Sequence, residues 1–174
     1  MIISKAPHRI SFSGGGTDYP KFYQHNGATV IGCAIDKYVT VVIAIPFGKV
    51  DSLYRLSYSD SENVDNVEEI KHPIIRAALI EEKISYPIHV TSIADVPSST
   101  GLGTSSAFTV ALMAAINKLK GREVSKAYLA EQAIYIERHV AGLAGGRQDQ
   151  WWAALGGLRA LEFNEKGVYS ETLS

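Results

Sequence analysis

Asp95 to Ala107 reads Asp-Val-Pro-Ser-Ser-Thr-Gly-Leu-Gly-Thr-Ser-Ser-Ala, a stretch whose residue types suit phosphate chemistry. Gly101 and Gly103 let the chain flex as it enters the apolar, small-residue segment 104–119, which reads as a buried helix. At such a helix start the unpaired N–H groups and the helix dipole favour a phosphate. First-turn hydroxyls from Thr104, Ser105 and Ser106 can also reach Mg²⁺. No Lys-Ser/Thr pair follows the second glycine, so this is not a Walker A loop. The plainer alternative is a Ser/Thr-capped helix, but the run of hydroxyls from Ser98 to Ser106 with two glycines exceeds what a cap requires.

Two further segments carry polar chemistry beside glycines. Gly14-Gly15-Gly16-Thr17-Asp18 follows an alternating apolar-polar run, so side chains disappear where a strand ends and backbone amides can approach a ligand closely. Thr17 and Asp18 would then meet a ligand rich in hydroxyls; the alternative is a glycine turn with a capping Thr or Asp. In the third segment Glu137 precedes the breaks at Gly142, Gly145 and Gly146, and Asp149 follows twelve residues after Glu137. A glycine-rich reversal can bring the second carboxylate back towards the first, an arrangement suited to holding a metal and orienting a hydroxyl. Taken singly, each carboxylate also reads as a solvated helix charge. Together the three segments make an inventory for phosphoryl transfer to a polyol.

The elements that must position these loops are mixed. Residues 9–13 and 53–58 alternate as half-buried strands do, and 29–36 and 38–46 are rich in Val, Ile and Thr. Asp36-Lys37 reads as a tight connection between those last two strands, and the acidic stretch 60–69 as a surface loop. Pro73 suits an early helical position, Pro87 ends that helix, and 88–94 makes a short strand. Ser125 is placed to cap a helix running to about Val140, with a short helix from Gln148 to Leu155. Residues 158–163 read as a last strand before a turn at 164–167. The pattern predicts one strand-rich α+β domain.

Composition narrows the function classes. The chain has 174 residues, 46% of them apolar and 20% charged, enough for a core and against disorder. A net charge of −1 gives no electrostatic footprint for nucleic acid. Cys33 is the single cysteine, so no intrachain disulfide forms, and its apolar strand context suits a packed side chain. The apolar run from Val39 to Phe47 falls far short of the ~20 residues of a membrane span, and Met1 to Lys5 does not open a signal peptide. The expectation is a cytoplasmic protein without membrane partners. His25, His72, His89 and His139 lack metal-ligand spacing, and Trp151 and Trp152 read as packing residues close to Asp149.

The three loops, in this order, resemble the GHMP kinase superfamily, and within it the heptose kinase branch. The residues that carry the likeness are Pro7, Arg9 to Phe12, Gly14 to Asp18, Ala34 to Tyr38, Pro97 with Gly101 to Ala107, Gln148 to Gln150, and Gly156-Gly157. The resemblance implies an α+β fold of the ribosomal protein S5 domain 2 type, with a mixed sheet packed with helices. It also implies ATP-dependent phosphorylation of a sugar, specifically the anomeric hydroxyl of a heptose 7-phosphate, with an L-fucose- or galactose-type hexose kinase as the alternative. By resemblance Asp149 is the catalytic aspartate and Arg9 its partner. Ser105 and Glu137 fall on the Mg²⁺ ligands, and Pro97 with Gly101, Leu102, Gly103, Thr104, Ser105 and Ser106 on the ATP phosphate loop. Gly15, Gly16, Thr17 and Asp18 fall on the sugar site. Arg147, standing where the heptose branch often has Lys, is expected to contact substrate.

Full members of that superfamily are about twice this length, and their third motif, in a C-terminal ferredoxin-like domain, has no counterpart here. Residues 1–174 are therefore expected to be the N-terminal domain, with the C-terminal domain absent. A non-catalytic sugar- or nucleotide-binding domain is the alternative from another class.

Overall fold

In a computed structural model, residues 1–97 and 99–173 are described; Ser98, one of the hydroxyls of the second glycine loop, lies outside them. The chain runs β1 (Ile2–Ser13), α1 (Pro20–Asn26), β2 (Ala28–Ala44), β3 (Tyr54–Ser57), β4 (Ser61–Val64), α2 (Pro73–Glu81) and β5 (Ile88–Ala94). It continues through α3 (Thr104–Leu119), α4 (Lys126–Ile134), α5 (Gln148–Leu155), β6 (Leu158–Asn164) and β7 (Gly167–Thr172). The α+β class and the mixed sheet are as expected. β1 lies along one edge of β2, while the other edge is shared, β5 taking Val39 to Ala44 and β6 taking Ala28 to Cys33. β3 pairs parallel to β5, and all other pairings are antiparallel.

Helix α3 packs across β1 and β2 with α4 and α5 beside it. It is buried almost all round, through Ala107, Ala111, Leu112, Met113, Ala115 and Ile116, which is why its sequence shows no polar stripe. Trp152 and Phe163 anchor a second cluster, so both tryptophans of α5 pack as expected. The predicted caps form: Ser125 Oγ accepts from the Tyr128 amide, and Pro73 opens α2. Among the described residues, no helix is long and apolar enough to cross a membrane.

Four expectations are corrected. The strands expected at 29–36 and 38–46 are one, β2, and Asp36-Lys37 lies within it. Opposite, Pro7 pairs with Tyr38 but Arg9 with Ala34, so a bulge absorbs the polar pair that looked like a turn. The stretch 60–69 holds edge strand β4, whose polar composition is accommodated because Glu62 turns inward and accepts from Tyr58 Oη (2.7 Å) and the Lys71 amide (2.7 Å). The helix expected to reach Val140 widens at Tyr135–Val140 into a π-helical turn, closed by the Ala141 amide donating to the Ile136 carbonyl. Finally, β6 is followed by edge strand β7 after the 164–167 turn.

Candidate active site

The register shift between β1 and β2 decides which way Arg9 points. Ala6 and His8 are buried on the helix side, and after the irregularity Arg9 and Ser11 also turn inward, leaving Ile10 and Phe12 exposed. Arg9 then grips Asp149 with two parallel bonds, Nε to Oδ1 (2.6 Å) and Nη2 to Oδ2 (2.7 Å). Its third arm, Nη1, donates to the Gly101 carbonyl (2.6 Å), and its amide donates to the Leu102 carbonyl (3.1 Å). One side chain thus fixes a carboxylate against the glycine loop. Gly103, at φ +74°, lies so close beneath that a Cβ there would stand 3.3 Å from Asp149 Oδ2.

Gly103 supplies no side-chain cap, so the first turn of α3 opens on a cleft of about 1040 Å³. Pro97, Gly101, Gly103, Thr104, Ser105 and Ser106 line that cleft with Arg9 and Asp149. Leu102 does not; it contributes its carbonyl to Arg9.

Glu137 reaches the same helix start from the π-helical turn. It is buried, and Oε1 accepts from Ser105 Oγ (2.8 Å) while Oε2 accepts from Ser106 Oγ (3.1 Å) and Gln150 Nε2 (2.6 Å). Arg138 Nη1 stands 3.4 Å from Oε1. Wider π-helical spacing recurs where a helix must aim a functional side chain. Among the described residues no cluster of three or more His, Cys, Asp or Glu side chains forms a metal cage. What exists is one carboxylate and a serine hydroxyl, hard oxygen donors that suit Mg²⁺ completed by phosphate oxygens and water.

Asp18 ends a short 3₁₀ turn, Gly15–Asp18, and is buried. Oδ2 accepts from the Arg147 amide (2.6 Å) and the Gln148 amide (2.8 Å), at the start of α5. Oδ1 has no partner. Burial pushes the Asp18 carboxyl above its ordinary pKa, opposed by the Gln148 and Arg147 amides, with the nearby Asp149 charge adding to the rise. A Cβ on Gly146 would overlap this carboxylate, so the loop passes Asp18 only as glycine. Gly15 and Gly16 line the cleft and face open space. The Thr17 hydroxyl is buried off the cleft wall, without a partner among the described residues.

Arg147 is not brought to the cleft. Its guanidinium turns to Glu131 and donates to Tyr23 Oη (2.8 Å), because the Arg147 amide is held by Asp18 and its side chain leaves on the opposite side. The cleft cation that the sequence reading missed is Arg138. It donates through Nε to the Gly146 carbonyl (3.1 Å) and through Nη1 to the Ala144 carbonyl (3.3 Å), ordering the loop before α5. Gln148, Gln150 and the ring set Tyr58, His72 and Phe108 were missed as well. The signal for the glutamines was there: two uncharged amides flank Asp149 on an otherwise apolar helix.

The rings also line the cleft, with Pro73, Val96 and Pro97. Tyr58 meets His72 edge-on at 4.7 Å, and His72 lies 5.0 Å from Phe108. Burial lowers the His72 pKa against the opposing Glu62 charge. Tyr58 is pushed up to about 12 by burial and by its bond to Glu62.

The family described as "GHMP kinases N terminal domain" matches residues 52–157. The D-glycero-alpha-D-manno-heptose 7-phosphate kinase of Campylobacter jejuni is 31% identical over 96% of this chain and 52% of that protein. The L-fucokinase/L-fucose-1-P guanylyltransferase of Bacteroides fragilis is 25% identical over 93% of this chain and 20% of that protein. Among solved structures, a D-glycero-D-manno-heptose 1-phosphate kinase from Bacteroides thetaiotaomicron superposes with a TM-score of 0.88 at 24% identity, covering 100% of this chain and 60% of that one. The Lactococcus lactis galactokinase, solved with galactose, gives 0.74 at 18% identity, covering 99% and 47%. The chain therefore spans about half the length of the heptose kinase it matches.

Proposed function

The chain belongs to the GHMP kinases, and from that premise we propose that it is the N-terminal, phosphoryl-transfer half of an ATP-dependent sugar kinase. The observation that carries this reading is the triple grip of Arg9 on both Asp149 oxygens and on the Gly101 carbonyl. It holds an acceptor-orienting carboxylate at the mouth of a helix start fit for phosphates.

The proposed roles follow from placement. Gly101, Gly103, Thr104, Ser105 and Ser106 cradle the ATP phosphates at the α3 N-terminus, where the dipole favours negative charge. The adenine enters the lobe of Tyr58, His72 and Pro97, and the sugar lies over Gly15 and Gly16 with a hydroxyl on the unpartnered Asp18 Oδ1. Asp149 accepts a hydrogen bond from the attacking hydroxyl and takes its proton late, while Arg9 keeps the carboxylate fixed. This suffices because phosphoryl transfer passes a loose transition state dominated by positioning and charge neutralisation. Ser105 and Glu137 would hold Mg²⁺, which supplies charge compensation on the phosphates. The α3 dipole and Arg138 add positive potential on the same side.

For the substrate we propose the anomeric hydroxyl of a heptose 7-phosphate, supported by the 31% identity to the Campylobacter enzyme. The test incubates the chain with ATP, Mg²⁺ and a panel of heptose 7-phosphate, L-fucose and D-galactose, and follows ADP release. Release with the heptose phosphate alone is the expected result. A preference for L-fucose or galactose overturns the substrate. Absence of turnover together with absence of ATP binding by calorimetry overturns the kinase reading.

A further inference from the structure

We propose that Gln148 is a positioning residue that sets the sugar-binding turn against Asp149, a proposal that rests on the cleft reading above. The turn Gly15–Asp18 follows Gly14, and its first two residues are glycines with no side chain to pin them. Its polar ties to α5 run through two neighbouring residues. The Arg147 and Gln148 amides hold Asp18 Oδ2, and the Gln148 side chain donates through Nε2 to the Gly15 carbonyl (2.7 Å). A carbonyl can only accept, so the amide nitrogen must face Gly15. Oε1 is then left to accept from Ser11 Oγ (3.0 Å), two residues beyond Arg9 on β1.

Gln148 therefore joins three pieces that carry different parts of the site: strand β1, which delivers Arg9; the turn, which delivers Gly15 and Asp18; and helix α5, which delivers Asp149 at the next position. It is almost fully buried, so these bonds are not exchanged cheaply for water. A shift of the turn by about 1 Å would move the acceptor hydroxyl off line, a misplacement of the size that costs on the order of 10²-fold. Among the described residues no bond joins Gln148 to the proposed nucleotide side, so its loss should weaken the sugar side only.

The experiment titrates the 174-residue chain and its Gln148→Glu and Ser11→Ala variants by calorimetry with heptose 7-phosphate, L-fucose and D-galactose, and separately with Mg²⁺ and a non-hydrolysable ATP analogue. Glutamate is nearly isosteric but turns an acceptor on the Gly15 carbonyl. Expected for Gln148→Glu is a fall in affinity for the bound sugar of about tenfold to a hundredfold, with analogue affinity within about twofold. Ser11→Ala should give a smaller loss that Ser11→Thr restores. Amide hydrogen exchange at Gly15 to Thr17 should quicken in Gln148→Glu while the α3 amides keep their rates. Unchanged sugar affinity overturns the positioning role, as does an equal fall for sugar and nucleotide, which marks a general loss of fold. A wild-type chain that binds the nucleotide analogue but none of the sugars overturns the cleft reading instead.

Discussion

The carboxylate of Asp18 closes the N-terminal end of the helix on which Asp149 stands. Asp18 Oδ2 takes the amides of Arg147 and Gln148, the two residues immediately before Asp149. An anion at a helix start is stabilised by the orphan N–H groups and the dipole, so this contact anchors α5 as well as the turn. The other oxygen, Oδ1, is buried without a partner among the described residues and is the atom proposed for the sugar. The proposed sugar contact at Asp18 and the proposed proton acceptance at Asp149 are thus referred to one backbone segment, and Arg9 ties that segment to the glycine loop at Gly101.

Gly146 makes the closure possible, since a Cβ there would overlap Asp18. Gly146→Ala should force the loop away from the carboxylate, release the Arg147 and Gln148 amides, and destabilise the fold by about 1–3 kcal/mol. Urea unfolding checks the stability, and sugar titration should show a loss in the same variant. An unchanged unfolding midpoint would mean that the loop relaxes freely and that the closure is weaker than its geometry.

Asp149→Asn keeps the shape of the side chain but replaces one acceptor with a donor facing Arg9. Phosphorylation should fall by about 10²–10⁴-fold, the range for losing a positioned proton acceptor, while sugar and nucleotide affinities stay within a few fold. ADP release and calorimetry on the same preparation separate the two quantities. Near-normal turnover would remove Asp149 from the chemistry.

Much of this site was legible because glycines and hydroxyls mark loops that need close backbone approach. The α3 start at Thr104, α5 and the Ser125 cap lie where their sequence signals put them. What could not be read was direction. Nothing local to Arg147 says that its side chain leaves towards Glu131 and Tyr23 while its amide faces Asp18; that follows from a contact across more than a hundred residues. Asp36-Lys37 looked like a turn because polar pairs usually are, and only the partner register on β1 shows a bulge. Strands β4 and β7 were missed for a related reason, since edge strands present polar residues to water and lose the apolar signature.

His72 gives the protein a pH-dependent element in the cleft wall, on the side proposed for the nucleotide. Its Nδ1 accepts from the Ile75 amide (3.4 Å) and caps α2, a role open only to the neutral ring. Burial holds its pKa below the ordinary value of about 6.5, although Glu62 pulls the other way and Tyr58 and Phe108 pack on the ring. The unfolded chain therefore takes up the proton first as pH falls, so stability present above about pH 6.5 is lost below it. In His72→Asn the cap survives and the titration does not, so its stability should vary less between pH 7 and 5 than that of the wild type. Chemical denaturation across that range measures the difference, and identical slopes would exclude His72 as the source.

Glu137 should matter most when a divalent cation accompanies the nucleotide. Its two oxygens accept from Ser105, Ser106 and Gln150, and Arg138 stands beside it. Glu137→Gln brings an amide N–H group against donors on at least one side and removes the negative charge, so affinity for a cation–nucleotide pair should fall by about tenfold or more. Mn²⁺ bound with ATP, followed by electron paramagnetic resonance, reads this without turnover. Nucleotide affinity without the cation should change little, because the α3 N-terminus is intact. The variant should also unfold more easily, by about 1–3 kcal/mol, as one pair of donors, Ser105 with Arg138 or Ser106 with Gln150, loses its buried acceptor. Equal Mn²⁺ affinity in variant and wild type would leave Glu137 as a structural acceptor for the α3 start and move the metal elsewhere.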